Sequence, residues 1–487
     1  MGGPGWGQAS RWLEARQWPG LLAVEAVLYV TGETMATQDE EPIGQPSILG
    51  TEWAEWIHSH TEPARVSAKP EALDDLLVLD VSAGSFAGLF CSSILAEWGA
   101  EVLRIEPPGG DIARQFSPFG IEHQGTGLAY LVEGRNKFHI TCHLKKAEGR
   151  RLFRRLAAKV NIVIETFAPG QMDNWGIGYR HLCRINPRLV YAAISTYGQF
   201  GPKAAANARK PDYDVTDQAL SGLVYMTGEA TEQPQHPQPH ETPTKAGNWM
   251  GWYAGGAWAA FGILAALQHC RRTGEGQLVD VSPPEGLMRF IEDAVLYYDK
   301  AGRVRERVGV VDTSVSPYYF VRCKDGHQMI AGFSDVNFTG LTNIMERPDL
   351  RKDPRFDTFV KRIQNRLALH AEVEQWSQRY TSQEILAKVQ DYMSSKRGPG
   401  TVATGRVNAP AETFGEDHWW QRGSLTRVDD PTYGELPMQG QPWKATGTPP
   451  RMKWACRPVG HDNEYVYLKY LGIGASKLRE YKKRGVL

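Results

Sequence analysis

Leu76-Leu-Val-Leu-Asp-Val81 is followed by the small-residue turn Ser82-Ala-Gly-Ser85, then by Phe86-Ala-Gly-Leu-Phe-Cys-Ser-Ser-Ile-Leu-Ala-Glu-Trp98 and Ala100-Glu-Val-Leu-Arg-Ile-Glu106. This stretch decides the fold. The first run is short and apolar, the length of a buried strand. Phe86–Trp98 reads as a helix, and Ala100–Glu106 is a second strand stopped by Pro107-Pro-Gly-Gly110. Outward from this unit the pattern repeats. His139–Leu144 predicts a third strand, Ala147–Lys159 a helix, and Val160–Glu165 and Leu189–Ser195 two more strands. Strands alternating with helices of this length predict an α/β fold with a parallel sheet covered on both faces.

The flanks read differently. Residues 1–50 carry Gly, Pro and Gln without periodicity and are expected to form an extension, with Met35 a second candidate for the first residue. Gly20–Val30 is interrupted by Glu25 and lacks a basic start, so it is not expected to be a signal peptide. Thr51–Pro63, with Trp53, Trp56 and Ile57 at helical spacing, predicts a short helix. Residues 310–410 predict a smaller α/β unit, with strands at Tyr318–Arg322 and His327–Phe333 and helices at Leu367–Tyr380 and Ser382–Met393. Residues 410–450 read as loop, and Tyr465–Leu487 as a helical tail.

Composition excludes several function classes. The 487 residues hold 55 Lys and Arg against 55 Asp and Glu, so there is no electrostatic footprint for nucleic acid. Arg150-Arg-Leu-Phe-Arg-Arg155 reads as the solvated face of a helix. The six cysteines (91, 142, 183, 270, 323 and 456) show no zinc spacing, which fits reduced thiols in a cytoplasmic protein and no metal site. The excursion Gln233-Pro-Gln-His-Pro-Gln-Pro-His240 is stiffened by its prolines away from ligation geometry. Trp249–Leu267 holds no charge and is long enough to consider as a membrane span, but its Gly and Ala content suits a helix buried in a soluble core.

Several segments, taken in order, resemble the class III CoA-transferase (CaiB/BaiF) family. They are Leu79–Gly110 with Arg104-Ile-Glu-Pro-Pro-Gly-Gly-Asp111, Asn136-Lys137 before His139–Leu144, Glu165-Thr-Phe-Ala-Pro-Gly170, Asn186-Pro-Arg-Leu-Val190, Tyr197-Gly-Gln-Phe-Gly-Pro202, Asp212–Gly222, Arg272–Gln277 and Gly460-His-Asp-Asn463. The resemblance runs over roughly residues 75–487. It implies a Rossmann-like large domain whose first part is 51–300, a small α/β domain at 310–410, and a segment 411–487 that returns to the large domain. It also implies an interlocked dimer in which each chain threads through the other. Coenzyme A or an acyl-CoA is the implied substrate, lying against Ala87, Gly88, Asn136, Lys137, Phe167, Pro169, Gly170 and Met172. A glycine-bearing turn at a helix N-terminus suits phosphate, because backbone N–H groups can approach it. Three positions depart from the family pattern: Thr166 stands in place of Asn, Asn174 in place of Arg, and Phe138 follows Asn-Lys.

The largest departure is at the nucleophile. In the resembled family an Asp at the start of the long helix attacks the acyl-CoA, forming an acyl anhydride and then an aspartyl-CoA thioester. Aligning the helix body Gly262–His269 places Trp252 at that position, and no Asp or Glu occurs between Glu241 and Glu275. An indole cannot form the covalent intermediate. Related racemases use a His where this chain has Tyr213, so that chemistry is disfavoured too. Three readings follow. The chain is the non-catalytic subunit of a heteromeric CoA-transferase (a heterodimer or heterotetramer), paired with an Asp-containing paralogue. Alternatively it is an active CoA enzyme using Asp212, Asp214 or Asp217, or else a non-enzymatic CoA-binding scaffold. Under the first reading the donor is succinyl-CoA and the acceptor a carboxylic acid such as benzylsuccinate; the 15 tryptophans would suit an aromatic acid. No membrane or nucleic-acid partner is expected.

Overall fold

A computed structural model of the chain describes residues 51–62, 65, 67–207, 212–230, 242–395 and 398–487. The expectations for residues 1–50 and for the excursion at 233–240 lie outside the described residues. Helix α1 (Glu52–Thr61) forms where aromatic spacing predicts it, with Trp53 and Trp56 stacked at 5.4 Å between centroids.

The large sheet has six parallel strands: β1 (Leu77–Asp80), β2 (Glu101–Glu106), β3 (Lys137–Thr141), β4 (Ile162–Glu165), β5 (Val190–Ile194) and β6 (Leu278–Val281). Their spatial order is β3-β2-β1-β4-β5-β6. The chain thus winds outward in both directions from the β1–β4 pair, where Val78 lies opposite Ile162 and Asp80 opposite Ile164. Alternation along the strands serves two cores. Val78, Val102, Ile164 and Ala192 pack under helices α2 (Phe86–Glu97) and α5 (Met250–Thr273). Leu79, Leu103, Val163 and Tyr191 pack under α3 (Ala147–Ala157) and the C-terminal helices. The helix α4 (Asp214–Leu220) lies beside α5.

α5 contains most of the uncharged run and carries Arg271 and Arg272 in its last turn. Its Gly, Ala and Ile263 face is buried in the first core, and a Cβ at Gly256 would sit 2.5 Å from the Ala87 carbonyl oxygen. Glycine there lets the two helices cross at backbone contact. β3 begins two residues earlier than its apolar run suggests, because Lys137 already pairs with Val102; Cys142–Lys145 have left the strand.

A third core, with Val321, Phe338, Phe356, Trp376 and Ile385, sits between helices and the antiparallel strands β7 (Tyr318–Cys323), β8 (Gly326–Ala331) and β9 (Ala403–Arg406). Residues 410–450, expected to be loop, contain the hairpin β10 (Leu425–Asp430) and β11 (Gly434–Gln439). The chain then runs back along β3. The Asp462 carboxylate accepts from the His139 N–H at 2.8 Å, the His143 N–H donates to the Val486 carbonyl at 2.8 Å, and Val466, Tyr467 and Val486 complete the second face of the large sheet.

Candidate functional site

The turn after β1 is tied down by protein partners. Its N–H groups donate in sequence to Asp80 (from Ser82, 3.0 Å), to the Thr166 hydroxyl (from Ala83, 2.9 Å) and to Asp111 (from Gly84, 3.0 Å). The Ser85 hydroxyl caps α2 by accepting from the Ala87 N–H at 3.2 Å. The donors expected to approach a phosphate are therefore committed internally, and two carboxylates occupy the place. Thr166, where the family pattern has Asn, has a visible task in holding Ala83. Ala87 is 1% exposed, and a Cβ on Gly88 would meet the Ser82 Cβ at 2.3 Å. Gly88 serves the close approach of helix to turn rather than an open surface.

Asn136 and Lys137 are likewise placed inside. The Asn136 side chain joins the backbone of Arg451 and Lys453, both at 2.7 Å. The Lys137 ammonium is fully buried and donates to the carbonyls of Leu89 and Glu133, both at 2.7 Å, with Asp80 at 3.7 Å. Burial pushes its pKa down to about 8 against the opposing pull of Asp80. Asp80 also receives Arg104 at 2.8 Å, and the two cations outweigh burial and hold its carboxyl below the ordinary range. A buried ionic network of this kind orders the sheet's centre; its members have no free group to offer a ligand.

Where the chain turns away from the carboxyl ends of β1, β2, β3 and β4, a cavity of about 350 Å³ opens. Val81 and Ala83 supply one wall, Ile105–Pro107 and Cys142–Lys145 the next, and Phe167 with Trp175 the edge. Doubly wound sheets bind ligands in this crevice, next to the strand pair at which winding reverses. The walls are mostly apolar. Phe167 and Trp175 meet edge to face at 5.3 Å, and exposed Lys145 stands at the rim. An apolar slot with aromatic edges and a rim ammonium can hold a planar base with an attached phosphate. Phe167 is the one expected CoA contact that lines it; Pro169 and Gly170 continue its loop, Gly170 with φ 76°, and Met172 is 2% exposed beneath. Sequence reasoning missed His143, Leu144, Lys145 and Trp175. For His143, Leu144 and Lys145 the signal was available, since they follow the end of β3; Trp175 lies ten residues past β4, beyond a helical turn.

Trp252 sits in the first turn of α5 and is 5% exposed. Its indole lies parallel to Phe116 (6.4 Å between centroids, 2° between planes), is stacked on Phe86 at 6.2 Å, and meets Trp249 at 5.7 Å. Phe86 and Trp249 close the group at 4.6 Å. Four aromatic rings thus fill the space at the start of the helix. The indole N–H has no hydrogen-bond partner among the described residues.

The three fallback carboxylates converge beneath this point. Asp214 accepts from the Trp252 backbone N–H at 3.1 Å and from Gln218 at 2.6 Å, so it caps α5. Asp217 accepts from the Thr196 hydroxyl at 2.6 Å and Asp212 from the Thr196 N–H at 3.1 Å. A Cβ on Gly251 would lie 2.7 Å from the Asp217 Cβ, so these groups abut the helix start. Burial raises all three pKa values, Asp217 to about 7. Asp217 is 1% exposed and its carboxyl is partly protonated near neutrality, which weakens it as a nucleophile. Tyr213 is exposed. Among the described residues no group of three or more His, Cys, Asp or Glu is arranged to hold a metal ion.

Residues 73–463 match the family model described as CoA-transferase family III. The chain is 32% identical over 420 residues to succinyl-CoA--D-citramalate CoA-transferase of Chloroflexus aurantiacus, covering 86% of this chain and 98% of that protein. It is 33% identical over 419 residues to the succinyl-CoA--L-malate CoA-transferase alpha subunit of Chloroflexus aurantiacus, covering 85% and 92%. Among solved structures, a CAIB/BAIF family protein from Brucella suis shares the fold with a TM-score of 0.69 at 27% identity, covering 82% of this chain and 100% of that one.

Proposed function

The chain belongs to CoA-transferase family III, and from that premise we propose that it is the subunit of a heteromeric CoA-transferase that does not carry the covalent step. The observation that carries this reading is the aromatic packing of Trp252 at the helix start, where an indole stands in the position expected for the nucleophilic Asp. The partner is a paralogue that bears an Asp at the corresponding position. The overall reaction moves CoA from succinyl-CoA to a carboxylic acid. The named relatives support succinyl-CoA as donor and a short dicarboxylic acid as acceptor, while an aromatic acid such as benzylsuccinate rests on the wealth of tryptophan alone.

On this reading the crevice at the carboxyl ends of β1–β4 takes the nucleotide end of CoA, with Phe167 and Trp175 against the base and Lys145 toward phosphate. Ala87 and Gly88 pack behind the turn that forms one wall of that crevice, while Asn136 and Lys137 stand at the amino-terminal start of β3, away from the ligand. Pro169, Gly170 and Met172 set the course of the Phe167 loop.

A second reading keeps an active chain, with Asp217 or Asp214 as nucleophile. It is favoured by their position against Gly251 and Trp252, and opposed by their burial and hydrogen bonds. A transferase assay separates the two. The purified chain, alone and with an Asp-bearing paralogue, is given succinyl-CoA and a panel of aliphatic and aromatic acids. The proposal expects turnover only in the mixture, abolished when the partner's Asp is changed. Turnover by this chain alone, lost on Asp217→Asn, would establish the second reading instead.

A further inference from the structure

The opposite edge of the sheet carries chemistry that the crevice does not use. α2 starts past the carboxyl end of β1 and runs back to the amino-terminal edge, where Glu97 ends it just before β2. There the segments around 422–426 and 440–452 enclose a cavity of about 240 Å³, whose polar lining includes Glu97, Arg422, Gln441, Lys444 and Arg451.

Three cations face one carboxylate, and that carboxylate is already occupied. Glu97 accepts from Arg135 at 2.7 Å and from the Gln441 amide. Among the described residues Lys444 donates only to the carbonyl oxygens of Gly423 at 3.2 Å and Gln441 at 3.0 Å. Burial, reinforced by Arg422 and opposed by Glu97, depresses the Lys444 pKa below its ordinary value. Arg451 gives one terminal nitrogen to the Lys69 carbonyl, while its buried Nε has no partner among the described residues.

We propose that this cavity is a binding site for a small anion, an inorganic phosphate or a short dicarboxylate, held between the side chains of Lys444, Arg422 and Arg451 that line it. Size sets the class. A partly polar cavity of about 240 Å³ has room for a phosphate or a four-carbon diacid, and the three cationic side chains in its lining select for an anion. The site is independent of the covalent chemistry, since it lies at the other edge of the sheet from both Trp252 and the crevice.

The test uses the full chain at constant ionic strength. Thermal shift and titration calorimetry are run with sodium phosphate, sodium succinate and neutral succinamide, against sodium chloride. The expected result is saturable binding of phosphate, succinate or both, no response to succinamide, and at least a tenfold weaker affinity in the Lys444→Met/Arg422→Gln double variant. Binding of one anion alone supports the site and identifies its source. Arg422 is exposed and has no carboxylate partner among the described residues, so Arg422→Gln alone serves if the double variant does not fold; it should weaken binding by about threefold or more. Absence of saturable binding by either anion, equal stabilisation by sodium chloride, or unchanged affinity in these variants would overturn the proposal.

Discussion

Replacing Trp252 by Ala tests whether the helix start is filled or open. The indole is 5% exposed and touches Phe86, Phe116 and Trp249. Large aromatic-to-Ala changes in cores cost about 3–5 kcal/mol. Two features of this site set the value toward the low end. The backbone N–H that Asp214 accepts survives the change, so α5 stays capped. The indole N–H has no partner, so its removal relieves a buried donor worth about 1–3 kcal/mol. The net loss is therefore about 3 kcal/mol. At roughly 2 °C per kcal/mol for a large domain, the melting temperature falls by about 6 °C. The variant also contains an apolar hole bounded by three rings, and such holes bind small aromatics. Millimolar indole should return part of the lost melting temperature to Trp252→Ala and leave the parent unchanged. The assay is a thermal melt with and without indole. A fall of under 2 °C with no response to indole would mean that Trp252 is not packed in the helix start, and the case that this position is filled would fail.

Asp217 predicts a pH effect. Its carboxyl titrates near 3.8 in the unfolded chain and near 7 in the folded one, so between those pH values the folded state holds the extra proton and stability falls as pH rises. Asp217→Asn keeps an acceptor for the Thr196 hydroxyl and should be more stable than the parent at pH 8 by about 1–3 kcal/mol, with no gain at pH 4; denaturant melts at both pH values decide, and an equal shift at both would refute the assignment. Gly88→Ala drives a Cβ to 2.3 Å from the Ser82 Cβ and should cost about 1–3 kcal/mol or prevent folding; an unchanged melt would show that the turn yields freely. Lys145→Ala should weaken CoA binding by calorimetry about tenfold, the loss of one ammonium–phosphate bond of roughly 1.5 kcal/mol, with an unchanged melt. Lys137→Met should instead lower the melting temperature, because it strips a buried partner from Asp80; loss of CoA affinity without loss of stability would return Lys137 to the ligand site.

The parallel sheet was legible because five of its strands are apolar runs between helix signals. β6 was not, since Leu278–Val281 is partly exposed and contains Asp280. The hairpin β10–β11 was hidden by Leu-Thr-Arg-Val-Asp-Asp, in which Val428 is the one apolar residue that enters a core and the buried Asp430 reads as a surface charge. At the site, the lack of any Asp or Glu between Glu241 and Glu275 could be read directly from sequence. The roles of Asn136 and Lys137 could not. A sequence names a lysine without saying that Leu89, Glu133 and Asp80 surround its ammonium. Nor could it show that Phe86 and Phe116, distant in sequence, would close on Trp252.

The central claim is that this chain cannot be acylated at the helix start. The direct measurement is intact-protein mass spectrometry after incubation with succinyl-CoA, for this chain alone and mixed with an Asp-bearing paralogue, followed by peptide mapping. The account predicts an acyl or CoA adduct on the paralogue's Asp and none on this chain. An adduct mapped to Asp217, Asp214 or Asp212 of this chain would contradict it.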